Sequence, residues 1–527
     1  MQPVRSRRDF FAEVGRGTLI ATLGSGLASD MAIANPAEPP ASERLNFEAL
    51  EPLVALMQET PVAQLIQKLS EKQRAGTDLR TLFQAAALAN ARTFGGEDYI
   101  GFHTMMALAP AWHMTKELPA DRAALPAYKV MYRNTARINE FGGPMAEKLK
   151  QVHARTAFSG DRPTGEQLRE LVRNKDMAAA DACLAAIAGA DHSHAEDAFN
   201  AALFTVGDNT EVHRTVLPYR SWDLLDVIGK DWAHLLLRQS VHYCVKSERE
   251  YRHTAEMDRP RQVLPKLMDQ YKLAGRAAGT RTVDDAWVSA LCDSFFTSSP
   301  EKAAESAAAA LADGVDPKAV GEAISLAANQ LILRDQGRRD REIQPGKPLG
   351  SVHGDSIGVH ACDSANAWRN MARVSNPRNQ VACLILGAFQ VAEDRLNRGG
   401  DFQTWKPRPL VEDLEKVTAS DPASLLQELK AAIEANNQSR STALAGRCAQ
   451  LGLDSKPLFK LFLRYAVSED GALHAEKFYR TASEDFAASR PAFQWRYLTA
   501  LARVTASAYG RQASGYHEAC ERLGVTV

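Results

Sequence analysis

Asp98-Tyr99-Ile100-Gly101-Phe102-His103 (DYIGFH) and Asp355-Ser356-Ile357-Gly358-Val359-His360 (DSIGVH) are one phrase written twice, 257 positions apart. Upstream of the first copy, Gly76-Thr77-Asp78 precedes an Ala-rich apolar run over residues 79–91. Upstream of the second, Gly314-Val315-Asp316 precedes a similar run over 318–333. A glycine can end one helix in the left-handed conformation, and an aspartate two residues on can cap the next by accepting from its free N–H groups. The tripeptide therefore predicts a tight corner between two helices. It recurs at Gly189-Ala190-Asp191, before a run at 195–206, and at Gly452-Leu453-Asp454, before a run at 458–467. Ala-rich amphipathic helices are predicted ahead of each corner, at 62–74, 177–188, 302–312 and 442–451.

After each corner comes a second helix, a polar loop and a histidine: His103, His213, His360 and His474, lying 25, 22, 44 and 20 residues beyond the corner aspartate. The third distance is stretched by a charged, Gly- and Pro-containing insertion over 334–356. A long helix then closes each unit, over 128–140, 231–245, 379–395 and 493–509. Helical periodicity dominates and alternating β-branched stretches are nearly absent, so the predicted fold class is all-α. The chain reads as four repeated modules of about four helices, stacked as an α-solenoid or closed into a helical toroid. The predicted divisions are a signal peptide at 1–34, a leader at 35–60, and modules at 61–155, 166–250, 284–396 and 420–527. Polar linkers are expected at 156–166, 251–265 and 397–409.

Four histidines at one repeat position can converge if the modules share an axis, and imidazole is a common ligand of transition metals. His103, His213, His360 and His474 are therefore candidate metal ligands; the alternative is a structural ring bonded to a loop carbonyl at the start of its helix. Around the third histidine, HGDSIGVHACDSANAWRNM places Asp363, Asn366 and Arg369 on one helical stripe with Cys362 nearby, a set able to orient a polar substrate or support a ligand. His360, Asp363 and Arg369 are the candidate catalytic residues, with one imidazole as a possible general base. His192 and His194 fall in a first turn and read as surface residues. His234 and His242 share a helix face, as a pocket or an interhelical polar contact.

The N-terminus carries Ser6-Arg7-Arg8-Asp9-Phe10-Phe11, an apolar run from Gly17 to Leu27 and a small-x-small triplet, Ala32-Ile33-Ala34. This pattern resembles a twin-arginine export signal, with Arg7 and Arg8 read by the export machinery and Ala32 and Ala34 flanking cleavage. It predicts an exported protein of the periplasm or cell envelope. It also raises the expectation of a cofactor, because that pathway moves chains already folded. No other stretch reaches the roughly 18 apolar residues that span a bilayer, so no transmembrane segment is expected in the mature chain. With 63 Lys+Arg against 64 Asp+Glu and no like-charge block, no nucleic-acid partner is expected. The seven cysteines are scattered without C-x-x-C, which predicts buried thiols and excludes covalent c-type haem attachment; haem b or a bare metal ion stays open. Dinucleotide-fold, P-loop, serine-hydrolase and zincin motifs are absent.

The run VHACDSANAWR, residues 359–369, with its corner and Ala-rich helix upstream, resembles the repeated His-containing helices of the questin oxidase family. That resemblance implies an oxygen-dependent oxidation of an aromatic or polyketide-like small molecule, with His360 and Arg369 carried over. Asp363 stands where that family usually has Thr. The sequence thus predicts an exported oxidoreductase, metal- or haem-dependent, acting in a pocket lined by the repeated histidines. The alternative is a non-catalytic helical scaffold binding a protein or carbohydrate in the cell envelope.

Overall fold

A computed structural model describes residues 44–152, 162–189, 194–250, 258–396 and 401–526. Arg7, Arg8, Ala32, Ala34, the corner residue Asp191 and His192 lie outside the described residues. The described chain is all-helical, with 23 α-helices and no strand beyond isolated bridges.

The helices fall in a recurring order. The first stretch holds α1 (Glu51–Glu59), α2 (Val62–Arg74), α3 (Leu79–Phe94), α4 (Tyr99–Glu117) and α5 (Leu125–Phe141). The second holds α6 (Gly165–Arg173), α7 (Met177–Ala188), α8 (Ala195–Val206), α9 (Val212–Ile228) and α10 (Ala233–Glu250), followed by α11 (Arg259–Gln270). The third holds α12 (Asp285–Thr297), α13 (Pro300–Ala312), α14 (Pro317–Arg334), α15 (Ile357–Val374) and α16 (Pro377–Leu396), followed by the short α17 (Val411–Glu415). The last holds α18 (Pro422–Glu434), α19 (Gln438–Gln450), α20 (Lys456–Ser468), α21 (Ala475–Ala488) and α22 (Pro491–Ala508), with α23 (Tyr516–Leu523) at the end.

Each stretch therefore has five helices where the sequence suggested about four. The extra one comes first: α1, α6, α12 and α18 are 9 to 13 residues long. Two further expectations need correction. The leader assigned to 35–60 contains α1, whose Val54 and Met57 are fully buried; Pro52 sits in its first turn, where the missing N–H costs nothing. The linker assigned to 251–265 contains the start of α11, which buries Pro260 and Leu264.

Three of the corners are built as the tripeptides imply, and Asp191 of the other lies outside the described residues. Gly76, Gly189, Gly314 and Gly452 all have positive φ, between +63° and +98°. Asp78 accepts from Thr81 N at 2.8 Å, Asp316 from Lys318 N at 2.9 Å and Asp454 from Lys456 N at 3.1 Å, each at the start of the following helix. All seven cysteines are free and buried. Among the described residues, no helix is long and apolar enough to cross a membrane.

The histidine-bearing helices form the centre. α4 packs on α9, α9 on α15, α15 on α21 and α21 back on α4. Their register is parallel. Arg220 and Thr481, each seven residues past its histidine, meet at 3.2 Å, and His113 and Asp223, each ten residues past, meet at 3.3 Å.

Candidate functional site

Each histidine stands in the first turn or cap of its helix, so the parallel register brings four rings to one end of the central bundle. Ring centres are 4.8 Å apart for His103 and His213, 5.4 Å for His213 and His360, 5.1 Å for His360 and His474, and 5.1 Å for His474 and His103. His103, His213 and His474 are buried, and His360 keeps part of its surface accessible.

The doubled phrase explains how two of these rings are placed. Gly101 and Gly358 stand two residues before their histidines, in helical conformation. A Cβ on Gly101 would lie 2.5 Å from the Phe94 ring, and one on Gly358 would lie 2.8 Å from Ile332 N. Only glycine lets α4 close on α3, and α15 on α14, at the level of the histidine. The aspartates have diverged. Asp98 caps α4, accepting from Gly101 N at 2.7 Å, and pairs with Arg137 at 2.6 Å. In the second copy Ser356 caps α15 instead, which frees Asp355 to pair with Arg338 and, at 2.8 Å, with Lys347 from the insertion.

Three rings are oriented through Nδ1. It contacts Tyr99 O at 2.7 Å in His103, Glu211 Oε1 at 2.6 Å in His213 and Ala472 O at 2.8 Å in His474. An acceptor at Nδ1 fixes the proton there and leaves Nε2 as the lone-pair nitrogen. Nε2 of His103 and of His213 is buried without a hydrogen-bond partner, and Nε2 of His360 lies 3.1 Å from Nε2 of His474. Two unpartnered ring nitrogens in a dry interior are costly unless something binds them. Aromatic rings wall this end: Tyr99 centres 4.3 Å from His103, and Phe102 lies 5.1 Å from His103 and 5.0 Å from His213.

The electrostatics keep three of the imidazoles neutral. Burial, reinforced by Lys477, pushes His103 and His474 well below the ordinary histidine pKa, and burial pushes His360 down to about 3. Four converging helix N-termini add positive potential in the same sense. With conjugate acids this weakly held, these three rings are poor proton acceptors near neutral pH. Neutral imidazole is the ligand form. Two carboxylates offset the positive potential. Burial opposes ionisation of Glu211, but His213, Arg214 N and Tyr243 outweigh it and hold the group at about 2. Lys347 and Arg338 hold Asp355 well below the usual carboxylate range against the same opposing burial.

Below the rings the bundle axis is polar. Asp363 accepts from Thr481 Oγ1 at 2.8 Å, and Asn366 donates to Asp485 Oδ1 at 3.1 Å. Burial raises Asp363 above the usual carboxylate value and Asp485 to about 6. Lys477, one turn below His474 and 2% exposed, is pushed down by burial to about 7.

Of the residues singled out in the sequence, the structure brings His103, His213, His360 and His474 together and sets Asp363 one turn below them. It does not bring Arg369 to the rings. Nine residues past His360, or about 13 Å along a helix, its guanidinium faces Asp485 at 3.5 Å and donates to Ala488 O at 2.6 Å. His242 makes an interhelical contact, with Asp181 at 2.9 Å and Glu97 at 3.4 Å, and His194 lies at the surface beside Asp197. Glu211, Asp355 and Lys477 were missed. Glu211 had a signal, as Glu-x-His at the start of a predicted helix; Lys477 had none, since a lysine after a histidine reads as solvated.

Among the described residues, no group of three or more His, Cys, Asp and Glu side chains is placed to hold a metal ion. Only the His360–His474 pair brings its Nε2 atoms together, at 3.1 Å. Scans against protein-family models, curated proteins and solved structures found no match to this chain.

Proposed function

We propose that the chain is an exported oxidoreductase that holds one transition-metal ion on His103, His213, His360 and His474, and that its twenty core helices are four copies of a five-helix module closed around that ion. The observation that carries this reading is the convergence of four imidazoles, three of them held neutral by burial, two with unpartnered buried Nε2 atoms. An ion about 2.0–2.1 Å from an imidazole nitrogen lies roughly 3.2 Å from the ring centre, so neighbouring imidazoles on one ion have centres about 4.5–5.3 Å apart. Three of the four spacings, 4.8 to 5.1 Å, fall in that range, and the His213–His360 spacing of 5.4 Å lies just beyond it. A donor set of imidazole without thiolate suits iron, copper or zinc. Haem fits less well, because its porphyrin takes four positions on the iron and leaves two of the imidazoles without a role.

Such an ion supplies electron exchange with oxygen or an organic substrate. The chain's residues do the rest. Glu211 orients His213 and raises its basicity, as a carboxylate behind a ligating histidine does. Lys477, poised near pH 7, can take up or release a proton beside the centre, and Asp363 lies on the same polar axis. Tyr99, Phe102 and Tyr243 offer an apolar, aromatic wall to a flat substrate. The choice of an aromatic small molecule and of oxygen as co-substrate rests on the resemblance to questin oxidases, and export rests on Arg7, Arg8 and the Ala32–Ala34 triplet. A structural scaffold would gain little from gathering four imidazoles, three of them buried, at one end of a bundle.

The test is metal content and oxygen uptake of the purified chain loaded with iron(II) or copper(II), assayed on a panel of phenols and anthraquinones. One ion per chain and substrate-dependent oxygen consumption, both lost in His103→Ala, are expected. A chain that binds no metal would overturn the reading.

A further inference from the structure

Just ahead of His474, the link from α20 to α21 runs left-handed. Gly471, Ala472 and Leu473 have φ of +56°, +49° and +70° in succession, and ψ of Ala472 is +52°. His474 N donates to Gly471 O at 3.1 Å, so the three residues close one left-handed turn. For L-residues that hand presses each Cβ against the following carbonyl oxygen, so single residues visit it and runs are rare. Glycine enters it without that cost, which accounts for Gly471 but not for Ala472 or Leu473.

Backbone strain persists only where the surroundings over-determine it, and it gathers at sites that bind or switch. The surroundings here clamp the turn. Asp470 N donates to Arg511 O at 2.8 Å just before it, and Lys129 Nζ donates to Glu469 O at 2.5 Å. Gly354 of the insertion lies against it, since a Cβ there would come within 2.9 Å of Ala472 Cβ. What the strained residue delivers is its carbonyl. Ala472 O takes the Nδ1 proton of His474 at 2.8 Å and so sets the ring whose Nε2 stands 3.1 Å from that of His360. A right-handed or extended Ala472 would point that carbonyl elsewhere. A partly open pocket of about 30 Å³ borders the turn, lined by Gly471, His474 and Ala475 together with Phe478, Leu501 and Val504.

We propose that this left-handed turn is a gate on the imidazole cluster. Closed, it holds His474 beside His360. Open, it relaxes to right-handed or extended backbone, releases Nδ1 and lets the ring swing from His360 towards the pocket, so that small molecules reach the cluster from that side. The gate needs no bound ion and stands apart from the function proposed above.

Diethyl pyrocarbonate acylates neutral imidazole, and it reaches His474, 3% exposed, only through the open form. Peptide mass spectrometry of the treated full chain follows that histidine by itself. Ala472→Gly removes strain from the closed form and leaves the open form less favoured, so it should slow modification of His474 roughly fivefold or more. Its denaturation midpoint should rise. Leu473→Asn keeps a side chain at a residue type that tolerates the left-handed region, and should slow the reaction in the same sense. His242, buried on α10, is the reference and should keep its rate. An unchanged or faster reaction at His474 overturns the gate, as does a slowing shared equally by His242, which would belong to the chain as a whole. A lowered midpoint in Ala472→Gly overturns the strain on which the gate rests.

Discussion

The Nε2 atoms of His360 and His474 stand 3.1 Å apart across 114 residues of chain. Neither ring has a carboxylate at that nitrogen, and burial keeps both neutral. A contact between two imidazole nitrogens is a weak reason to bring two helix starts together. On one ion at about 2.1 Å, two nitrogens roughly 95° apart would show this separation. The same pair therefore defines both the geometry of the fold's centre and what that centre can do.

Glu211 is the outer partner of the site. Replacing it by Gln keeps the shape but removes the charge behind His213. Metal affinity should fall about 10–100-fold, as for other carboxylates behind ligating histidines, and the metal-free chain should also lose stability, because a carboxylate held at about 2 favours the folded state at neutral pH. Isothermal titration of the metal-free variant measures this, and an affinity equal to that of the native chain would remove Glu211 from the account.

Arg369 and His360 should separate cleanly. His360→Ala is expected to lose the ion. Arg369→Ala, at the far end of α15 beside Asp485 and Ala488, should keep one ion per chain. Elemental analysis decides; loss of metal in Arg369→Ala would mean that the lower end of the bundle reaches the rings.

Acid should destabilise the metal-free chain. A buried histidine whose folded pKa is about 3 binds its proton only in the unfolded state between there and about 6.5, so its contribution is whole above pH 6.5 and lost on the way down. His103 and His474 act in the same sense. Asp485, raised to about 6, acts oppositely, because between about 4 and 6 the folded chain holds the extra proton; Asp363 shares that sense. Three imidazoles against two carboxyls leave a net fall in melting temperature from pH 6.5 to 4.5, and Asp485→Asn should steepen it. Lys477 acts higher, its contribution growing from about pH 7 towards its ordinary value. A melting temperature in Asp485→Asn that is flat from pH 6.5 to 4.5 would contradict the burial of neutral rings.

The two phrase glycines should differ in cost. Gly101→Ala meets a phenylalanine ring that can tilt, whereas Gly358→Ala meets backbone atoms of Ile332, which cannot. Overpacking of this kind costs about 1–3 kcal/mol, with Gly358→Ala at the upper end and accompanied by weaker metal binding. Chemical denaturation of the two variants checks the order.

Much of the helical order was legible in the sequence because its corners are written in residues with one physical use. Positive φ demanded Gly76, Gly189, Gly314 and Gly452, so the helices flanking those corners were bounded to within a few residues. The histidines were legible as repeat equivalents, which required only their spacing from the corners. The first helix of each unit was not, since α1 and α6 are short and begin in segments rich in proline and polar residues. Nor was the displacement of Arg369, because a stripe along a helix says nothing about which level of a bundle each residue occupies. Lys477 was hidden for a related reason: its burial follows from α21 packing on both α4 and α15, a relation between distant segments.

The most direct test is a crystal of the chain loaded with iron(II) or copper(II), with diffraction recorded at the metal's absorption edge. The account predicts one anomalous peak, about 2.0–2.2 Å from Nε2 of His103, His213, His360 and His474. An ion bound elsewhere, or four rings left facing one another with no peak between them, would contradict it.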